Sequence, residues 1–244
     1  MLIVAFKPDD QAFSLTIPWA SLTLDNFRYS LEASPWLTYY INGTLAVTLT
    51  FVGQLLICLP AGYVLARSRI RGSAVLMGAL LIILLIPQQV RAIPTYFMIS
   101  QVGLIDTIAA LVIPFLGSAF MVFLFRQFIV SIPQETFDAA WMDGVGRIGV
   151  LWHVVVPAVK PAIAAGAAFS MVEHWNDLFW PSLTVRSDAS ATVPYAISYL
   201  ASAETGIRYG PLMAAAVLSI APLVVLFIVL QRYMIEGVSA SRTI

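Results

Sequence analysis

Charge is what this 244-residue sequence has least of: 11% of its residues are Asp, Glu, Lys or Arg, against the roughly 25% usual for a soluble globular domain. Hydrophobic residues make up 60% and the mean hydropathy is +0.88, so the chain is an integral membrane protein. Thirteen basic residues balance thirteen acidic ones, which leaves no excess positive charge for nucleic acid. Cys58 is the single cysteine, which excludes a disulfide framework and a multi-cysteine metal site. The only lysines are Lys7 and Lys160, and no Gly-x4-Gly-Lys-Ser/Thr loop can be assembled to cradle a phosphate. Gly-x-Ser-x-Gly and His-Glu-x-x-His are absent as well. No catalytic set, metal site or nucleotide cofactor is expected in this chain, and any energy source must sit on another polypeptide.

What is present is a succession of apolar runs. Residues 1–6 are apolar but too few to span, and Lys7-Pro8-Asp9-Asp10 follow at once, so no secretory signal can be built from them. Residues 41–66 carry no charge; at 1.5 Å per residue they reach about 39 Å, enough for a hydrocarbon core of about 30 Å. Ser34-Pro35 reads as the cap and first turn of that helix. Residues 74–86 stop at Pro87 and resume at residues 92–99, which predicts a kinked second span with Arg91 near the outer interface, snorkelling or contacting a ligand. Residues 108–130 predict a third span, 160–183 a fourth and 211–235 a fifth. The fold class is therefore all-α: a polytopic transmembrane bundle of five clear spans plus an N-terminal stub of a sixth, in one domain covering residues 1–244.

Orientation follows from charge. Arg67, Arg69, Arg71, Arg126, Arg147, Lys160, Arg232 and Arg242 fall on one side, against Glu135, Asp138, Asp143 and Glu236. The positive-inside rule makes that side cytoplasmic and puts residues 7–35 and 184–210 outside.

Between the third and fourth spans lies a partly polar insertion, residues 131–160. Glu135, Asp138, Asp143 and Arg147 cannot sit unpaired in hydrocarbon, so it belongs in water. Pro133 suits a first helical turn with Ser131 as its cap, and Glu135 complements the positive end of the helix dipole. Asp143-Gly144 breaks that helix, and a second, residues 147–156, runs until Pro157 halts it. His153 on it reads as a surface or dipole-complementing residue.

From Asp138 the order is Asp-Ala-Ala, three residues, Gly144, nine residues, Val154, one residue, Val156, Pro157. This resembles the EAA loop of ABC importer permeases, Glu-Ala-Ala-x3-Gly-x9-Ile-x-Leu-Pro. Ala139, Ala140, Gly144 and Pro157 match, while Asp138, Val154 and Val156 depart conservatively. Leu24-Asp25-Asn26-Phe27, Arg126-Gln127-Phe128, Trp175-Asn-Asp-x-x-Trp-Pro181 and the closing run from Gln231 to Gly237 resemble the carbohydrate-uptake type of this family, so the likeness covers about residues 24–240. Glu173-His174 departs from the small or apolar residues expected there.

The resemblance implies a bacterial cytoplasmic (inner) membrane permease of a sugar or oligosaccharide importer, with a polyol or glycerol 3-phosphate as the rival solute. It implies as partners a second permease subunit, two ATP-binding cassette subunits that hold ATP and Mg, and an extracytoplasmic solute-binding protein. It assigns coupling to the ATPase to Glu135, Asp138, Ala139, Ala140, Asp143, Gly144, Arg147 and Pro157, with Ala139 and Ala140 giving a slim face to a groove. A proton-coupled carrier would need inverted repeats, which the sequence does not display.

In the fourth span Glu173, Asn176, Asp177 and Trp180 recur at i, i+3, i+4 and i+7, which places them on one helix face. Such a stripe is costly against lipid. It lines either a solute pathway or a contact with the partner permease, with His174 off the stripe as a structural histidine.

Overall fold

The computed structural model describes residues 1–14, 16, 19–68, 71–201 and 208–240, excluding the side chains of residues 10, 20, 199, 200, 226 and 229–240. Arg69, Glu204 and Arg242 lie outside the described residues, as do the side chains of Arg232 and Glu236.

Among the described residues all regular structure is helical, as expected of a chain that must satisfy its own backbone where no water reaches. A short helix α1, Leu2–Phe6, and α2, Asp25–Ala33, precede the longest early element, α3, Trp36–Arg67. Helix α3 runs for 32 residues straight through Pro60 and is long and apolar enough to cross a membrane alone. Pro35 and not Ser34 takes its cap position, without a side-chain cap bond. Ser34 is extended, with φ −153° and ψ 150°, because the proline ring crowds a helical conformation at the residue before it.

Three of the other apolar runs are broken. Helices α4, Ser73–Leu84, and α5, Gln88–Gln101, meet at 98°, a near right angle where the sequence predicts a kink. Pro87 has no N–H to give and its ring disfavours helix at Ile86, so the chain leaves the helix for residues 85–87. Helix α6, Ile108–Val112, with the tight turn Ile113–Phe115, meets α7, Ala119–Val130, at 48°. The Ser118 hydroxyl accepts from Met121 N and starts α7 afresh. After α8, Gln134–Met142, and α9, Arg147–Val150, come a π turn, Leu151–Val155, and α10, Val156–Ala158. Helix α11, Lys160–Trp175, leaves that segment at 77°, and α12, Phe179–Thr184, α13, Val193–Ala201, and α14, Tyr209–Ala240, complete the chain.

Helix α3 is the hub, and small residues let its neighbours close in. A Cβ on Gly62 would lie 3.1 Å from Arg126 N and 3.2 Å from Val122 O on α7, so the two backbones touch. Gly43 does the same for the Trp175 ring of α11. Two buried clusters result: Trp36, Val47, Trp175 and Trp180 towards one end, and Leu59, Met121, Phe125 and Phe137 towards the other.

At the first end the loops are stapled by polar contacts. Asn26 Nδ2 donates to Ala5 O (3.0 Å) and Lys7 O (2.6 Å), Ser30 Oγ to Pro211 O (2.7 Å), and Arg208 pairs with Asp9 at 2.9 Å. Asp106, in the left-handed region at φ 63°, collects the loop before α13. Its Oδ1 accepts from Arg186 N (2.9 Å), Ser187 N (3.0 Å) and the Ser190 hydroxyl, and its Oδ2 from Ser187 Oγ (2.7 Å). Tyr39 OH adds a 2.6 Å bond to Asp188 Oδ1.

The Ser190 hydroxyl first, then that of Ser187 and the two backbone N–H groups, hold the Asp106 carboxyl well below the usual carboxylate range, against the opposing effect of partial burial. A folded-state value below the unfolded one, about 3.9, stabilises the fold at pH above the unfolded value, and the gain disappears as pH falls through the folded value. Asp106→Ala should therefore lower the thermal midpoint of the solubilised protein at pH 7, and the gap to wild type should narrow steadily below about pH 4. A gap of constant size from pH 7 to the acid limit of folding contradicts the assignment.

Candidate functional site

Two places stand out: the projecting segment at residues 131–160, and a cavity among α3, α5 and α11. In the first, the Ser131 hydroxyl donates back to Phe128 O (2.7 Å), and Pro133, at φ −57°, takes the position before α8 that the sequence gave to Ser131. Glu135 sits in the first turn. The helix closes with Gly144 N on Trp141 O and Val145 N on Ala140 O, both 3.0 Å, and Gly144 at φ 73°. That pair of bonds is the Schellman closure, which needs a residue free to turn left-handed.

The second arm does not stop at Pro157. It stays helical to Ala158, and the break comes at Val159, φ −101° and ψ 18°. A proline clashes with the carbonyl four residues back, here that of His153, inside the π turn where the helix is wider. The His153 ring nitrogen Nδ1 lies 2.9 Å from Gly149 O, on the exposed side.

Of the residues assigned to coupling, Glu135, Asp138, Ala139, Asp143, Gly144, Arg147 and Pro157 are exposed. Ala140 is not: at 8% exposure it packs with Phe137, Val150, Leu151 and Val155 inside the segment, so its smallness serves internal packing and only Ala139 offers a slim outer face. The outer face carries four apolar residues that sequence reasoning passed over: Trp141 (49% exposed), Met142 (88%), Ile148 (74%) and Trp152 (46%). The signal was available, since large apolar side chains in a segment assigned to water ask for a partner.

Arg67, counted above only as a positive charge, fastens this segment to the body. From the end of α3 its guanidinium donates to Ile129 O (2.8 Å), to Ile132 O and to Gln134 Oε1 (3.1 Å), and lies 4.1 Å over the Phe137 ring. Gln134 Nε2 in turn donates to Asp138 Oδ1 at 2.9 Å. Tyr63, one turn before Arg67, stacks on Phe137.

The polar stripe of the fourth span is dismantled. Helix α11 ends at Trp175, so Glu173, Asn176, Asp177 and Trp180 share no face. The cause is local. Asn176 Nδ2 donates to Val172 O (2.8 Å), and Asp177 Oδ1 accepts from Trp180 N (3.2 Å), side-chain bonds that compete with the helical ladder. Pro181 could not donate to Asp177 O in any case. Trp180 is buried, its Nε1 donating to Ala110 O at 2.8 Å. With Asp177 it borders a void of about 20 Å³, room for about one water. Asn176 is exposed.

Glu173 alone of the four lines the large cavity, about 570 Å³, whose polar wall comprises Gln54, Gln88, Arg91, Ser118, Glu173 and His174. Gln88 reaches it from α5 while its Nε2 holds Asp177 Oδ2 at 3.3 Å. Gln54 Nε2 donates to Phe115 O (2.9 Å) and lies 3.4 Å from His174 Nε2. Gln54 and Gln88 were not singled out from sequence; a glutamine in an uncharged 26-residue run was the available signal for the first.

Comparisons with known proteins bear on the chain as a whole. The family model described as "Binding-protein-dependent transport system inner membrane component" matches residues 58–239. The chain is 31% identical over 244 residues to the arabinooligosaccharides transport system permease protein AraQ of Halalkalibacterium halodurans, covering 98% of this chain and 87% of the relative. It is 28% identical over 213 residues to the sn-glycerol-3-phosphate transport system permease protein UgpE of Yersinia pestis, 86% of this chain and 75% of that one. With the lactose transport system permease protein LacG of Rhizobium radiobacter it shares 30% over 180 residues, 74% of this chain and 65% of the relative. In fold it is similar to a chain of a bacterial ABC transporter involved in the import of the acidic polysaccharide alginate, with a TM-score of 0.81 and 23% identity over 95% of this chain and 88% of that one.

Arg67→Met keeps an apolar stem under Phe137 and deletes every bond the guanidinium makes. Each lost bond to a charged donor is worth about 1–3 kcal/mol, so the variant should melt several degrees lower in detergent and expose residues 131–146 to protease. An unchanged midpoint and digestion pattern would show that the segment is held by other means.

Proposed function

Because the chain belongs to the family of binding-protein-dependent transport system inner membrane components, we propose that it is the permease of an ATP-driven carbohydrate importer. Relatives named for arabinooligosaccharide and lactose transport support that solute class, and the one named for sn-glycerol 3-phosphate marks the rival. In this reading α3, α4 with α5, α6 with α7, α11 with α12, and α14 make five crossings of the inner membrane. A second permease completes the pathway, a solute-binding protein delivers to the end that carries residues 7–35 and 184–201, and two ATPase subunits hold ATP and Mg.

The observation that carries the mechanism is the apolar knob. Met142, Ile148, Trp141 and Trp152 project from a segment whose own core is already filled, and they suit a hydrophobic groove rimmed to receive Glu135, Asp138, Asp143 and Arg147. Such exposed apolar surface costs solubility unless a partner covers it. We assign the groove to the ATP-hydrolysing subunit, with the knob in the cytoplasm. Closure of the ATPase pair then displaces α8. Arg67 carries the displacement to α3 and α7, and the bend at Val159 carries it to α11, so both helices that bear Gln54 and Glu173 move with nucleotide state.

Met142→Asp tests the knob at a side chain 88% exposed, where insertion and folding should not suffer. Loss of a central apolar anchor costs roughly 2 kcal/mol or more, so the ATPase recovered with the membrane complex and its solute-stimulated hydrolysis should fall about thirtyfold. Full recovery and stimulation would remove the knob from the coupling path. Uptake that survives ATP depletion and collapses with an uncoupler would point to a proton-coupled carrier.

A further inference from the structure

Helix α2 is inside out for a helix in water. Its buried face is polar: Asn26 and Ser30, four residues apart, are both buried. Each is spent on backbone carbonyls, Asn26 on Ala5 O and Lys7 O and Ser30 on Pro211 O. The rest of the helix divides into two stripes of equal spacing. Leu24, Phe27 and Leu31 fall at i, i+3 and i+7, and Asp25, Arg28 and Glu32 repeat that spacing one position on. Leu24 is 67% and Leu31 49% exposed, with Phe27 half-buried between them. Arg28 and Glu32 pair with each other at 2.8 Å, both well exposed. A surface helix in water turns its apolar side to the core and its polar side outward. Helix α2 buries polar groups and keeps a whole apolar side for something beyond the chain.

The neighbours fix where each stripe points. Helix α2 lies across the start of α14. Asn26 abuts Gly210, where a Cβ would come within 2.6 Å of its Oδ1, and Ser30, about 6 Å further along α2, bonds to the very next residue, Pro211. From the same corner α1 runs along α14, so that Met1 and Leu2 share an apolar groove with Val217, Ile220, Ala221 and Val224. Val224 is 15 positions beyond Tyr209, where α14 begins, about 22 Å along the axis. Phe27 packs on Phe6, the last residue of α1, with ring centroids 4.9 Å apart, so the apolar stripe lies on the side to which α1 descends. Tyr29, beside the charged stripe, lies 4.3 Å beneath the guanidinium of Arg208, the residue just before α14. The charged stripe therefore points away from the body of α14 and the apolar stripe along it.

We propose that α2 lies in the plane of the membrane as an interfacial anchor, with Leu24, Phe27 and Leu31 in the lipid of the adjoining leaflet and Asp25, Arg28 and Glu32 in the water above it. Lipid is the occupant because the stripe passes through Phe6 into the groove between α1 and α14, where Val224 is 50% exposed. One apolar surface thus leads from the headgroup level into hydrocarbon. A helix so placed sinks about 5–10 Å into the boundary between headgroups and acyl chains. Its charged stripe sums to a single negative charge, so burial of apolar side chains holds it and attraction to anionic headgroups does not. Since Ser30 O also accepts from Trp36 Nε1 at the head of α3, at 2.5 Å, the anchor keeps the starts of α3 and α14 at one depth. It also withdraws part of residues 7–35 from the surface open to a solute-binding protein. The inference rests on α14 being one of the crossings, and on neither the solute nor the side that faces the cytoplasm.

Cys58 is the only cysteine of the chain and is fully buried, so a cysteine placed at an exposed position is labelled alone. Leu24→Cys, Asp25→Cys, Leu31→Cys, Glu32→Cys and Val224→Cys, each in the assembled transporter with cysteine-free partner subunits, carry a nitroxide in nanodiscs of phosphatidylethanolamine and phosphatidylglycerol. Collisions with oxygen, which concentrates in lipid, are compared with collisions with a nickel chelate, which stays in water. Oxygen should prevail at 24 and 31 and the chelate at 25 and 32, a reversal between adjacent positions, while 224 should meet oxygen most. A larger share of phosphatidylglycerol should leave the ratios at 24 and 31 where they were; a rise in them overturns the charge argument. Labels at 24 and 31 that meet the chelate while 224 meets oxygen overturn the anchor and leave the crossing standing, and loss of those collisions on adding the solute-binding protein would make the stripe its docking surface. Labels at 24 and 31 sheltered from both reagents overturn it in favour of a protein neighbour. A label at 224 that meets the chelate overturns the crossing by α14, and the anchor with it.

Discussion

The guanidinium of Arg67 is where the projecting segment and the helical body become one piece. It reaches from the last turn of α3 to two carbonyls at the end of α7, to Gln134 at the start of α8 and to the face of Phe137. A lysine could make one or two of these contacts as a point charge, but a planar fork over an aromatic ring with bonds in its own plane is a property of arginine. Ile129 O, in the last turn of α7, otherwise accepts only a long 3.3 Å bond from Ile132 N, so the same group that joins three helices also helps to close one of them. Without it α8 would rest on the Tyr63–Phe137 stack and the shared apolar cluster, contacts that lack the direction of hydrogen bonds, and the Schellman turn at Gly144 would orient the knob from a looser base.

The breaks in the other helices have a common logic. Apart from the bend at Val159, each occurs where a proline takes a donor from the ladder or a short polar side chain offers the backbone an alternative to it: Pro87 between α4 and α5, Ser118 at the start of α7, Asn176 and Asp177 after α11. Broken helices in lipid are tolerated where the freed groups find protein partners or line a cavity. Two of these breaks do the latter: Pro87 and Ser118 border the cavity, with Gln88 and Arg91 just beyond the first. Helix α3, which is continuous, adds Gln54 to the wall. One continuous rod faces several interrupted ones, and the polar groups gather where the interruptions are.

Local features were legible in the sequence and non-local ones were not. Pro133, Glu135 and Gly144 predict helix and break correctly because each acts within its own turn. The apolar runs predict the helices, since hydropathy needs no knowledge of neighbours. The stripe from Glu173 to Trp180 failed because the 3.6-residue period was carried across Asn176-Asp177, two residues whose side chains compete for backbone, and towards Pro181. Ala140 turned inward for a reason invisible in a motif: the face of α8 that is buried is chosen by Phe137 and by the second arm. The approach of Gln54 to His174 spans 120 positions in sequence and depends on α3 and α11 packing through Gly43 and Trp175, which no periodicity reveals.

That same packing decides how α11 can move. Trp175 is held on both sides, its ring so close to Gly43 of α3 that a Cβ there would lie 3.2 Å from it, and its Nε1 donating to Ser219 O of α14 at 3.0 Å. The other end of α11 begins at Val159, directly after the projecting segment. Sixteen residues at 1.5 Å make a rod of about 24 Å, so a tilt of about 10° about the Trp175 end displaces the Val159 end by about 4 Å. Glu173 lies within one turn of the fixed end and would hardly shift by tilting. A movement of the knob therefore reaches the cavity less through α11 than through α3, where Gln54 lies 13 residues before Arg67 and about 20 Å from it along the axis. Helix α3, continuous between the two, is the one that can push, and Gln54 sits on it.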